Sequence, residues 1–138
     1  MADFTYSSFK SGLLTKQHDV LNDTLKVVLV SGTYTPTHSH TSYTTHVASH
    51  EVAGSGYTTG GDTIDSVSVV NGNNFSYLDG DNVAWPSSTI TASGAVVYND
   101  SHASKAVVSY IDFGQNRSSS NGNFQVTWNS AGIVRLSE

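Results

Sequence analysis

The sequence predicts a mainly β protein: an antiparallel β-sandwich or barrel-like domain with a short N-terminal helix and long loops, in one domain over residues 1–138. Three observations lead there. Ser and Thr make up roughly a quarter of the chain while Lys and Glu are scarce; Thr suits strands, Ser and Asn suit turns, and Lys and Glu favour helices. Apolar residues recur in short runs of period two, as in Phe124, Val126 and Trp128, the mark of strands with one buried face. Between these runs stand turn pairs such as Asn71-Gly72 and Asp79-Gly80, which supply the positive φ of tight hairpins.

Phe4 to Lys16 is the helix candidate, with Phe9, Leu13 and Lys16 at helical spacing and Gly12 against it. Thr24 to Ser31, TLKVVLVS, is a near-continuous apolar run of strand length and reads as an interior strand. Gly32 to Thr45 is Thr- and His-rich without apolar periodicity, and Pro36 keeps it out of a ladder. Tyr43 to Glu51 has room for one or two helical turns with Tyr43, Val47 and His50 on one side. Gly54 to Gly61, GSGYTTGG, predicts a sharply turning backbone that approaches another segment closely, anchored by Tyr57. Ile64 to Val70, Phe75 to Leu78 and Val83 to Trp85 follow as strands of a meander.

The stretch from Asn82 to Phe113 is the expected centre. Pro86 to Ser88 breaks one strand. Thr89 to Tyr98 and Lys105 to Phe113 form an antiparallel pair across the polar connector Asn99 to Ser104. Simple alternation puts Ile90, Ala92, Val96 and Tyr98 in one register. It also puts Val107, Ser109, Ile111 and Phe113 on one face, with Val108, Tyr110 and Asp112 on the other. Little polarity on either side of Val96-Val97-Tyr98 and Ala106-Val107-Val108 predicts strands covered on both faces. Gly114 to Asn123 is a polar loop, Phe124 to Trp128 a strand, and Ile133 to Leu136 a short closing strand.

Composition removes several kinds of function. There is no cysteine, hence no disulfide framework or thiolate site. Six Lys and Arg spread over a chain of net charge −5 form no basic patch for nucleic acid. No apolar run reaches membrane-spanning length, and the start MADFTYSSFK lacks the pattern of a signal peptide; a chain made in the cytoplasm is expected.

Candidate chemistry is thin. His38 and His40 are one residue apart, and His46 and His50 would share the face of a helix beside Glu51. Yet Val47 stands where a zinc-protease motif needs Glu, and solvent-facing or interface histidines are expected instead. Asp62, Asp65, Asp79 and Asp81 sit beside glycines or in turns, where Asp serves conformation. No Gly-x-Ser-x-Gly turn or P-loop occurs. Trp85 and Trp128 fall on strand patterns and belong in the core. No catalytic residue, cofactor or metal ligand is assigned.

A set of short motifs nevertheless recurs in order along the chain. It runs from Asn22 to Val27, through Tyr34 to Pro36, Glu51-Val52, Gly54, Gly56-Tyr57-Thr58 and Gly60-Gly61. It continues with Trp85, Ser88 to Ala92, Ala95 to Tyr98, Asp112-Phe113-Gly114, Asn121 to Phe124 and Trp128. In these the chain resembles a widespread group of small virion structural proteins of tailed bacteriophages, with Ser93-Gly94 departing from the group's larger or basic residue. The resemblance implies a non-enzymatic role as a capsid decoration (cement) protein on the phage head surface. It further implies a homo-oligomer, with a trimer favoured, that contacts the major capsid protein. The alternative is a tail or fibre-associated adhesive or carbohydrate-binding module, for which Tyr34, Tyr43 and Tyr57 would supply loop aromatics. Phe4, Tyr6 and Phe9 in the arm Met1 to Lys16, with the tyrosines of Gly32 to Gly61, are candidate interface anchors. The competing expectation is that both segments fold back over the sandwich.

Overall fold

The computed structural model describes residues 3–137. Ten strands, one α-helix and two short helical turns follow one another along the chain. Strand β1 (Phe4–Thr5) and helix α1 (Ser7–Leu14) precede β2 (Leu25–Val30). A π-helical turn (Tyr43–Val47) and a 3-10 turn (Ala48–His50) interrupt the long connection to β3 (Asp62–Thr63). Strands β4 (Ser68–Gly72), β5 (Phe75–Asp79), β6 (Val83–Ser88), β7 (Thr91–Asn99), β8 (Val107–Ser118), β9 (Gly122–Val126) and β10 (Val134–Ser137) complete the fold. They form three antiparallel sheets of order β1-β8-β7-β2-β3, β10-β5-β4 and β6-β9.

The five-stranded sheet is covered on both faces, because its central strands carry apolar side chains at successive positions. Leu25, Val27 and Leu29 of β2, with Ala95 and Val97 of β7 and Val108 of β8, point into one core. There they meet Leu78, Val83, Trp85, Phe124, Val126 and Val134 of the two smaller sheets. Val28, Val30, Val96, Tyr98, Val107 and Tyr110 point the other way, toward Tyr6, Tyr34 and Val47. Each aliphatic side chain so enclosed contributes about 1.5–3 kcal/mol relative to exposure.

Two irregularities correct the simple alternation. Val97 pairs with Ser109 but Tyr98 pairs with Val107, so Val108 is an extra residue. This bulge turns Val107 to the face of Tyr110 and leaves Val108 on the face of Ile111, the reverse of strict period two. In β7, Ala92 pairs with Arg117 and Gly94 with Asp112. The phase therefore switches at Ser93-Gly94, and Ala92 faces the first core while Val96 and Tyr98 face the second. Gly94 is required there: a Cβ would stand 2.8 Å from the Ile111 carbonyl oxygen and the Tyr110 hydroxyl.

Other boundaries move as well. Pro86 to Ser88 bulges β6 rather than ending it, since pairing with β9 resumes at Ser88 with Ser87 at φ 54°. The β4–β5 hairpin turns at Asn73-Asn74, because Gly72 already pairs with Phe75 and Asn74 takes φ 70°. Asp79-Gly80 connects strands of different sheets and makes no hairpin. Strand β8 runs on to Ser118 through the first half of the predicted polar loop.

Of the arm Met1 to Lys16, Met1 and Ala2 lie outside the described residues. Within the rest, Tyr6 and Phe9 are core rather than interface anchors, while Phe4 is half-buried and Leu14 exposed. Phe4–Thr5 pairs with Tyr110 and Ser109, and Tyr6 and Phe9 are 0% and 1% exposed. The helix starts after Tyr6 because Phe4 and Thr5 extend the sheet.

Candidate functional site

The segment 32–61 covers the second face of the five-stranded sheet with Tyr34, Tyr43 and Val47 and reaches the first core with Val52 and Tyr57; one carboxylate organises it. Glu51 Oε1 accepts from the Tyr43 hydroxyl at 2.5 Å. Its Oε2 accepts from the Tyr57 hydroxyl at 2.5 Å and from the Gly60 N–H at 2.8 Å. The Tyr57 oxygen in turn accepts from the Leu29 N–H at 3.1 Å, and the Tyr98 hydroxyl donates to the Gly60 carbonyl at 2.7 Å. Tyr43 and Tyr98 stack with ring centroids 4.4 Å apart.

The glycine loop reaches these partners by close backbone approach, as its composition predicts. A Cβ on Gly61, at φ +78°, would lie 2.0 Å from the Val27 carbonyl oxygen, and one on Gly54 2.3 Å from that of Thr89. Burial, then donation to Glu51, holds the Tyr43 and Tyr57 phenols protonated well above their ordinary value. A carboxylate offers about four lone-pair sites; here donors fill three of them, which suits a structural tie better than a general base.

Beside this hub lies a chain of tyrosines and histidines. The hydroxyls of Tyr6 and Tyr34 are 2.7 Å apart, and that of Tyr34 is 2.8 Å from His40 Nδ1. His40 stacks on His46 at 4.4 Å and 13°, and Phe4 stacks on His38 at 4.0 Å. Burial, then the neighbouring His46 and His50, lowers the His40 pKa. Burial, then Asp112 and Tyr34, pushes Tyr110 up to about 12.

His46 and His50 do not converge on a common point. His46 Nδ1 faces the Thr41 and Ser42 N–H groups at 3.3 and 3.4 Å, whereas His50 Nδ1 meets Thr33 Oγ1 at 3.0 Å. The wide π turn followed by a 3-10 turn breaks the helical spacing that would have aligned them. No group of three or more His, Asp or Glu arranged to hold an ion occurs among the described residues. Five of the six histidines are half-buried in contacts within the chain, and His38 is exposed. The reason is that rings on this loop pack on one another and on tyrosines.

The remaining candidates fall where conformation needs them. Asp62 Oδ1 accepts from the Thr63 N–H within β3, and Asp79 Oδ1 from the Gly80 N–H at the end of β5. Trp85 and Trp128 are buried, and Trp128 Nε1 donates to the Asp81 carbonyl at 2.8 Å. Tyr34 is buried, and Tyr43 and Tyr57 are half-buried.

Two features escape sequence reasoning. Asn99, 0% exposed, donates to His18 Nδ1 at 3.0 Å and to Asp23 Oδ2 at 2.7 Å, tying the segment after α1 to the end of β7. Those residues are 76 or more positions apart, and no local pattern announces the contact. A cleft of about 410 Å³ opens between β8 and the chain after β9, lined by Phe4, Tyr110, Phe113, Arg117, Gln125 and Asn129 among others. Arg117 lies 5.4 Å from the centre of the Phe113 ring at its rim.

No protein-family model, curated protein or solved structure matches the chain. No helix among the described residues is long and apolar enough to cross a membrane.

Proposed function

We propose that this chain is a non-enzymatic structural protein of a bacteriophage particle, a decoration (cement) protein of the head shell that forms symmetric clusters on the major capsid protein. The observation that supports it most is the use made of the residues carrying the resemblance. Glu51, Gly54, Gly56, Tyr57, Gly60 and Gly61 bind a loop onto a sheet by internal hydrogen bonds and close backbone contact. Their work is to make a stiff body, and stiffness is what a static lattice contact needs, since ordering a mobile surface opposes binding. A closed cluster at a lattice junction follows the symmetry of the junction, which favours a trimer.

Purified particles provide the test. Their stained gel should show this chain at a copy number comparable with that of the major capsid protein, and a cryo-electron map should place it on the shell. A few copies at the tail would end the decoration assignment.

The cleft favours a second reading, a tail- or fibre-associated carbohydrate-binding module. Aromatic rings beside amide, carboxylate and guanidinium groups suit a sugar, and this cleft replaces the inward-turned Tyr34, Tyr43 and Tyr57 as its basis. Competable glycan binding that disappears in Arg117→Ala would support this reading over the first.

A further inference from the structure

The large apolar side chains that remain exposed among the described residues are Leu14, Leu21, Val69 and Leu136. Val69 is 40% and Leu136 52% exposed, and both line one apolar groove with Leu13, Val20, Leu78 and Val134. No charged residue lines that groove. Leu14 and Leu21 follow the groove residues Leu13 and Val20 directly in the chain. Exposed apolar surface gathered in this way marks a contact with another molecule.

The three-stranded sheet shows what that molecule is. Its order β10-β5-β4 leaves two open edges, β4 on one side and β10 on the other. Val69 pairs across with Leu78, and Leu78 with Val134, so these three side chains share a face. Leu136, two residues past Val134, joins them. Each exposed apolar residue of the sheet thus stands on one open edge, and both point to the same side.

Among the described residues neither edge is paired with a further strand. β4 reads SVVNG, without charge or proline, and its pairing with β5 runs without a bulge; such a strand is a template for a further strand. β10 carries Arg135, whose guanidinium sits over the Phe75 ring at 4.0 Å on the other face, clear of the groove.

We infer that copies of this chain join edge to edge, β4 of one against β10 of the next. The pairing continues the sheet between subunits and lays Val69 of one copy beside Leu136 of its neighbour. Two different edges meet, so the contact is head-to-tail and closes into a ring when the rotation allows it. A second copy fits better than an unrelated partner because the molecule itself supplies both halves: a matching edge, and an exposed apolar residue on the same face of each. The groove is also uncharged, so two chains of net charge −5 meet at a face without acidic side chains. This inference deepens the cluster-forming role proposed above.

Light scattering coupled to size exclusion on the full chain tests it. The wild type should run as a closed oligomer at micromolar concentration. V69K and L136E should each run as monomers, with the circular dichroism of the wild type showing that they remain folded. The double variant V69K/L136E should regain the oligomer, in a salt-sensitive way, because ammonium and carboxylate then face each other across the junction. A wild type monomeric at every accessible concentration overturns the inference, as do single variants that stay oligomeric or a folded double variant that stays monomeric. Should either single variant unfold, backbone hydrogen exchange of the wild type decides: protection of the outer edges of β4 and β10 that rises with protein concentration supports the contact, and its absence overturns it. The outcome is separable from the decoration assignment. An oligomer absent from the head refutes only the location, and a head-bound monomer refutes only the edge pairing.

Discussion

The two faces of the five-stranded sheet are equally buried and held by different physics. On the first, Val27, Leu29, Val97 and Val108 meet Trp85, Phe124 and Val126 in an almost wholly apolar core. On the second, Val28, Val30 and Val96 meet Tyr6 and Tyr34, whose hydroxyls bond each other. Tyr43 extends the polar cover to Glu51, which ties it to Tyr57 at the border of the first core. Hydrophobic burial has no direction, so the first face tolerates any side chain of suitable size and shape. A buried phenol requires a partner at the right distance, so the second face depends on a few named contacts.

The largest expected effect is on the apolar face. Val97→Asp buries a carboxylate in the apolar core and should cost on the order of several kcal/mol. The protein should be insoluble or unfolded by circular dichroism; a soluble folded variant would contradict the assignment of Val97 to the core.

On the polar face, Glu51→Ala removes the acceptor of Tyr43, Tyr57 and Gly60 together. Stranding these donors should cost about 3 kcal/mol, since a buried unpaired donor costs roughly 1–3 kcal/mol. Urea unfolding would measure the loss, and hydrogen exchange should localise the opening to residues 32–61 while β7 and β8 stay protected. Uniform destabilisation of both faces would erase the contrast drawn between them.

A smaller effect comes from pH. His40 and His18 have pKa values lowered chiefly by burial, with His46 and His102 respectively next. An unfolded histidine titrates near about 6.5, so on acidification the unfolded chain takes up these protons first. Stability is therefore complete above that pH and falls as pH drops through it toward the folded values. The thermal midpoint should decline across this window, and His40→Asn should flatten part of the decline. At the alkaline end the sign reverses. The raised tyrosines contribute stability that is complete below about pH 10, their unfolded value, and is lost above it; delayed tyrosinate absorbance in the folded protein would show it.

The smallest effect returns to the first face. Ser109 pairs with Val97 and is buried, and among the described residues its Oγ has no hydrogen-bond partner. Ser109→Ala removes that unsatisfied hydroxyl and should leave stability unchanged or raise it by up to about 1 kcal/mol. A clear loss would show that the hydroxyl has a role in the core.

The difference between the faces also separates what was legible from what was not. The strands of the first face were readable because TLKVVLVS and FQVTW carry their burial in their own periodicity. The glycine loop was readable because glycines clustered around one tyrosine have few other uses. Glu51 stands out in the sequence beside His50 and in the motif Glu51-Val52, neither of which points to its role as an acceptor. Its three donors come from residues six to nine positions away, gathered by turns that have no period.

The sequence by itself determined the fold class, the doubly covered central strands, the buried tryptophans and the close approach of Gly54 to Gly61. Each follows from side-chain period or backbone allowance within a few neighbouring residues. Only the tertiary structure decided the phase of β7 and β8, because a bulge reverses every later side chain and leaves no mark in composition. It also decided that Tyr6, Phe9 and Tyr34 point inward. An aromatic residue suits a core and an interface equally, and which one it enters depends on the space left by segments distant in sequence.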